Sequence, residues 1–195
     1  MQMESMELGL YRTNCYILWE TDAAVVIDPG YSAQRILARL HDLGLTLRAI
    51  VLTHGHFDHV GAVGELKKAI GCPVWLPAPD TELPEEITNG PIPYTDTFTE
   101  GDTLCLGDIT LSVMLTPGHT PGSCCLKTGN LLFTGDTLFR DTCGRTDLPG
   151  GDWRQMRASL RRLAAIGEEL FVYPGHGDAT TLSREKRFNP YLRGM

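Results

Sequence analysis

The sequence predicts an α/β sandwich, two sheets packed face to face with helices outside. Two observations lead there: apolar runs of strand length outnumber helical repeats, and the alternation of strand with helix is incomplete. The 195 residues are 42% hydrophobic, which suits one well-buried core and predicts a single domain over 1–195.

In order along the chain, residues 14–19 and 23–27 read as strands. Asp28, Pro29 and Gly30 close the second, since proline fixes the turn and glycine permits it. Residues 32–43 place Ile36, Leu37, Leu40 and Leu43 at helical spacing, with Ser32 as the expected cap and Gly44 as the stop. Residues 49–52 form a short strand, 59–70 a helix ending at Gly71, and 74–76 another strand. Residues 77–101 are rich in proline and acid and lack periodicity, so they read as an excursion from the core. Tyr94 and Phe98 there suit either part of a substrate wall or a solvent loop. Residues 102–116 hold two strands about Gly107 and Asp108, and 123–127 with 131–134 form a hairpin about Gly129 and Asn130. An amphipathic helix over 153–166 and a strand over 170–173 complete the pattern.

The formal net charge is -7, and the basic residues form no long run, although Arg184, Lys186 and Arg187 cluster near the end. An acidic surface repels a phosphate backbone, so no nucleic-acid partner is expected. No run approaches the roughly 18–20 apolar residues of a membrane span. Residues 1–16 carry glutamates where a signal peptide would be basic and then apolar. The expectation is a cytoplasmic protein with no membrane partner. Its six cysteines are scattered without a C-x-x-C pair, and most read as reduced, packed thiols.

Five of the six histidines follow apolar runs in glycine-bearing turns; His41, in the polar part of the first helix, reads as surface. Thr53, His54, Gly55, His56, Phe57, Asp58 and His59 follow the strand at 49–52. His119 follows Pro117 and Gly118, Asp136 follows Thr134 and Gly135, and His176 follows Pro174 and Gly175. Imidazole with carboxylate suits zinc, iron or manganese, with zinc the first choice. The seven donors His54, His56, Asp58, His59, His119, Asp136 and His176 exceed one tetrahedral site. They fit two divalent metals sharing one carboxylate, which would lie about 3.5–4 Å apart around a bridging hydroxide.

These donors, in this order, resemble the pattern of the metallo-β-lactamase superfamily across nearly the whole chain. The resemblance implies a four-layer αββα sandwich with the site at one edge of the sheets. It implies that His54, His56 and His119 bind one metal, that Asp58, His59 and His176 bind the other, and that Asp136 bridges them. Asp58 would also orient the nucleophile. Asp28 looks like the family's aspartate that holds the metal loop from behind, and a simple strand-end turn residue explains it nearly as well.

Residues 135–147 look like the glyoxalase II and persulfide dioxygenase groups. The glyoxalase II resemblance puts Arg145 where a basic residue contacts the glutathione part of the substrate. A local ion pair with Asp141, Asp147 or Asp152 explains Arg145 equally well. Cys143 beside it reads as a packed thiol. Residues 181–191 resemble a glyoxalase II segment that the long enzymes separate from the last metal histidine by the start of a helical domain. Here only residues 177–180 intervene, which implies the short branch without that domain. The expected function is hydrolysis of a thioester of the hydroxyacylglutathione type. A mononuclear iron persulfide dioxygenase using His54, His119 and Asp136 is the alternative. Another metal-dependent esterase or lactonase, and a non-catalytic metal-binding module, rank lower. Oligomeric state, acyl group and thiol carrier stay open.

Overall fold

The computed structural model describes residues 1–193. Strands β1 (Gln2–Leu8), β2 (Thr13–Glu20), β3 (Ala23–Ile27), β4 (Thr46–Val51), β5 (Val74–Pro77) and β6 (Asp96–Phe98) form one sheet in that order. The first three pair antiparallel and the rest parallel. Helix α1 (Ala33–Asp42) crosses from β3 to β4; α2 (Phe57–Val60) and α3 (Val63–Ile70) cross from β4 to β5. The second sheet begins with β7 (Thr103–Leu106), β8 (Ile109–Leu115), β9 (Cys124–Thr128) and β10 (Leu131–Gly135). A separate hairpin of β11 (Leu138–Phe139) and β12 (Thr142–Cys143) intervenes before β13 (Phe171–Pro174) and β14 (Thr180–Thr181). The order across this sheet is β14-β13-β10-β9-β8-β7, with β10 and β13 parallel and the other pairs antiparallel.

Period-two alternation builds the layers. In β3 every residue is buried: Ala24 and Val26 face Ile36 and Leu40 of α1 and Leu66 of α3, while Val25 and Ile27 face the second sheet. Across the middle layer Leu111, Leu126 and Phe133 meet Tyr16, Leu18 and Val51. Beyond the second sheet, Met156, Leu160 and Leu163 of α5 (Trp153–Ala164) cover Leu132 and Val172. The result is the expected helix–sheet–sheet–helix stack. Each fully buried aliphatic side chain in it contributes about 1.5–3 kcal/mol.

Several local expectations fail for identifiable reasons. Strand β1 was not expected, because it is a largely solvated edge strand in which glutamates and serine interrupt the apolar residues. Ser32 precedes α1 in a left-handed conformation and makes no side-chain cap; Asp152 caps α5 instead, accepting from the N–H groups of Arg154 and Gln155. The helix expected over 59–70 is two, α2 and α3, broken where the Ala62 N–H donates to Pro29 O.

Residues 77–101 are not an excursion. They hold a 3-10 helix (Ala78–Glu82), α4 (Glu85–Thr88) and β6. Phe98 is buried between the sheets and Tyr94 lines a different depression, so the stretch reaches the pocket over the donors through Ile87 and through neither of those aromatics. The tail forms α6 (Leu182–Phe188), where buried Glu185 accepts from Asp141 N–H and Asn189 Nδ2 donates to Phe139 O and Thr142 O. These bonds tie the β11–β12 hairpin to the end of the chain. Among the described residues no helix is long and apolar enough to cross a membrane.

Candidate metal centre

The donors sit just past the carboxyl ends of β4, β8, β10 and β13, where an α/β sheet leaves an open edge. Links between the sheets fix their relative position. Asn14 N–H donates to Gly175 O at 2.7 Å and Cys124 N–H to Thr53 O at 3.0 Å. Tyr16 Oη donates to Pro174 O at 2.6 Å. Gly175 has no room for a side chain, since a Cβ there would collide with Asp136 Oδ1 and His59 Cε1.

The structure brings all seven predicted donors together. His54, His56 and His119 form one cluster and Asp58, His59 and His176 another, with donor atoms within 4.8 Å of one another in each. Asp136 lies between them. Its Oδ2 is 3.3 Å from His119 Nε2 and 3.6 Å from His176 Nε2, and its Oδ1 is 3.4 Å from His59 Nε2. Asp58 Oδ2 is 3.2 Å from His176 Nε2 and accepts from Thr13 Oγ1 at 3.1 Å.

Surrounding groups fix the ring tautomers. His119 Nδ1 meets the carbonyl of Arg145 at 2.7 Å, and His176 Nδ1 meets that of Tyr11 at 3.0 Å. A carbonyl only accepts, so both Nδ1 atoms carry protons. His59 Nδ1 lies 3.0 Å from Asp28 Oδ2 and is a donor for the same reason. Thr53 Oγ1 donates its proton to Asp28 Oδ2 at 2.6 Å, so it accepts from His54 Nδ1 at 3.1 Å. Four rings are thereby held with Nε2 turned inward, the orientation that metal-binding imidazoles need.

These residues fit a metal pair. Among the described residues, Nε2 of His54, His56 and His119 and Oδ1 of Asp136 are buried without a hydrogen-bond partner. Each orphaned atom costs about 1–3 kcal/mol, and cations at this spot would satisfy all of them. Burial and the neighbouring rings hold His54 well below the usual imidazole range. Burial together with His119 pushes His56 down to about 4. Asp136 is held low despite its burial, chiefly by His59 and His119. Burial works against protonated His59 and His176, but the carboxylates Asp136 and Asp28 around the first, and Asp58 around the second, raise both.

The depressed pair sets a pH dependence. A histidine whose folded pKa lies below its unfolded value of about 6.5 contributes stability that is present above 6.5 and lost as pH falls towards the folded value. For His56 that window runs from about 6.5 down to about 4. Urea titrations of the metal-free chain across this range should therefore show stability falling as pH falls. A flat profile would mean that these rings are not buried neutral.

Asp28 does more than close a strand. It is buried, with Oδ1 accepting from Thr53 N–H at 2.8 Å and Oδ2 serving Thr53 Oγ1 and His59. For Arg145 the structure shows the local ion pair. Its guanidinium pairs with Asp147 through contacts of 2.7 and 2.8 Å, both side chains being exposed, and it also lines the mouth of the pocket over the donors. Asp141 pairs with Arg184 instead. Burial pushes the Cys143 thiol up to about 11, in keeping with a packed cysteine, and His41 is exposed. Sequence reasoning missed Tyr11, Thr13, Thr53 and Asp80. The last is buried in the non-periodic stretch after β5, where nothing in the local pattern marks it. Burial pushes its carboxyl up to about 6, against the hydrogen bonds from Thr120, Gly55 and Gly122.

The pocket above the donors has a volume of about 440 Å³, and its wall includes Tyr11, Phe57, Ile87, Phe139 and Leu148.

Known proteins share this arrangement. The chain is 35% identical to hydroxyacylglutathione hydrolase GloC of Haemophilus influenzae, over 98% of each chain. The crystal structure of TTHA1623 in a di-iron-bound form is 39% identical, covers 97% of this chain and 100% of its own, and has a TM-score of 0.88. The BLEG-1 B3 metallo-beta-lactamase structure is 36% identical over 99% and 100% of the two chains, also at a TM-score of 0.88. The chain thus carries a binuclear His/Asp metal-binding site, and a related structure holds two irons. A family model matches residues 8–176, from the end of β1 to the last converging histidine, and the chain belongs to the metallo-beta-lactamase superfamily.

Proposed function

We propose that this metal-dependent hydrolase cleaves a thioester of the hydroxyacylglutathione type. The observation that carries the reading is a pocket open onto both donor clusters with, among the described residues, no strong acid placed for the leaving group. Apart from the donors themselves, the titratable protons on its wall belong to Tyr11, Cys143 and Arg145, and the Cys143 thiol is pushed up to about 11. A thiolate leaves without protonation, whereas an amide nitrogen does not. The 35% identity to GloC over almost the full length of both chains supports the same substrate class.

His54, His56 and His119 would hold one cation, and Asp58, His59 and His176 the other, with Asp136 between them. When bound, the pair supplies Lewis acidity and brings the pKa of water towards neutrality. Asp58, steadied by Thr13, is the carboxylate placed to orient an attacking water and take up its proton. Tyr11 and Phe57, in edge contact at 5.0 Å between ring centroids, form one flank of the pocket. Arg145 at the mouth offers a guanidinium to a substrate carboxylate, at the cost of loosening its exposed pair with Asp147.

The test is metal content of anaerobically purified protein beside three assays: S-lactoylglutathione hydrolysis, cephalosporin hydrolysis, and oxygen uptake with glutathione persulfide. About two metals per chain and preferred thioester cleavage are expected. A single iron with oxygen uptake, or preferred lactam opening, would overturn the proposal.

A further inference from the structure

We propose that Asp80 is a positioning residue for the metal position formed by His54, His56 and His119, setting its affinity from outside the donor set. Asp80 projects from the 3-10 helix (Ala78–Glu82) and is 1% exposed. Its Oδ2 accepts from Gly55 N–H at 2.8 Å and from Thr120 Oγ1 at 2.9 Å, and its Oδ1 accepts from Gly122 N–H at 2.6 Å. Gly55 lies between His54 and His56, and Thr120 follows His119. One carboxylate therefore bonds both loops that supply this cluster, and it touches neither loop through a donor ring.

Close approach is built into the backbone. A Cβ on Gly122 would fall 2.6 Å from Asp80 Oδ1 and 2.9 Å from Asp80 N. Thr120 is held in turn by Ser123, whose Oγ lies 2.8 Å from Thr120 Oγ1 and accepts from Thr120 N–H at 2.9 Å. The second cluster is braced differently. His59 rests on Asp28, His176 on the Tyr11 carbonyl, and Asp58 on Thr13. Asp80 makes no bond to that set, so its influence falls on one metal position. Groups that orient ligands from behind typically govern affinity by about 10–100-fold.

The experiment is stepwise metal titration of the full metal-free chain against a competing chelator, with cobalt(II) spectra as the reading of site geometry. Asp80→Asn keeps the shape but offers one acceptor atom where the carboxylate offers two, so an N–H donor is left facing the new amide nitrogen. We expect one of the two binding steps to weaken about 10–100-fold, with a changed cobalt spectrum, while the other step stays within about threefold. Thr120→Val should weaken the same step, and Thr120→Ser, which keeps the hydroxyl, should retain wild-type affinity. This pair gives the answer if Asp80→Asn does not fold. Unchanged affinities would overturn the proposal. So would parallel weakening of both steps in proportion to lost thermal stability, which marks a merely structural anchor. The outcome does not depend on which substrate the enzyme takes.

Discussion

Replacing Asp136 by alanine should reduce bound metal below two per chain and cut turnover by more than about a hundredfold. Removing a group that merely orients a metal ligand already costs about 10–100-fold, and Asp136 stands in the donor set itself. Its carboxylate reaches both clusters, with Oδ1 beside His59 and Oδ2 between His119 of the first cluster and His176 of the second. No other carboxylate in the site has that position; Asp58 reaches only the His59 and His176 side. Asp136, together with Asp28, also favours protonated His59 in the metal-free chain. The variant consequently loses both the shared ligand and the balance of a fully buried imidazole. Metal analysis together with thioester turnover reads the result, and full activity in Asp136→Ala would sink the binuclear site.

Asp28→Ala should have the largest effect on folding. The substitution leaves the Thr53 N–H, the Thr53 hydroxyl and the His59 Nδ1–H without the acceptor that serves all of them. At about 1–3 kcal/mol for each stranded buried group, the loss should exceed about 3 kcal/mol. Asp28 also has a φ of 50°, in the left-handed region, where alanine is disfavoured and asparagine tolerated. Asp28→Asn is therefore the more informative variant. If its amide nitrogen faces His59, it donates to Nδ1 and drives the ring proton to Nε2, the atom aimed at the metal position. Denaturant unfolding should show Asp28→Ala as the less stable variant. Metal titration should show that Asp28→Asn weakens the Asp58, His59 and His176 position by about 10–100-fold. Wild-type affinity in Asp28→Asn would show that Asp28 acts on folding alone.

Much of this protein was legible in order along the chain. The strands at 23–27 and 131–134 declare themselves as short continuous apolar runs, as strands covered on both faces do, and the helix at 153–166 by apolar residues recurring at helical spacing. The donor types and their places at strand ends were equally visible, since each follows an apolar run through a turn. Less could be read where the signal is weak or shared. Strand β1 lies at an edge and is mostly solvated, and β6 is only three residues long. Helix α6 is short, and its buried positions include Glu185, a polar residue that the hydrophobic pattern does not count.

What the sequence determined by itself is which residues end the strands, and therefore which ligand-type side chains reach the open edge of the fold. Convergence was decided by packing. Asp136 comes between two histidine clusters because β10 lies beside β13 and because Asn14 and Tyr16 lock the 174–177 loop against the first sheet. The same holds for the groups behind the donors. Asp80, Thr53 and the carbonyls of Tyr11 and Arg145 each make contacts that depend on distance in space between segments, and no local periodicity records it. A hydrogen bond to a backbone N–H or carbonyl places almost no demand on residue type at that end, so only the tertiary structure could reveal these supports.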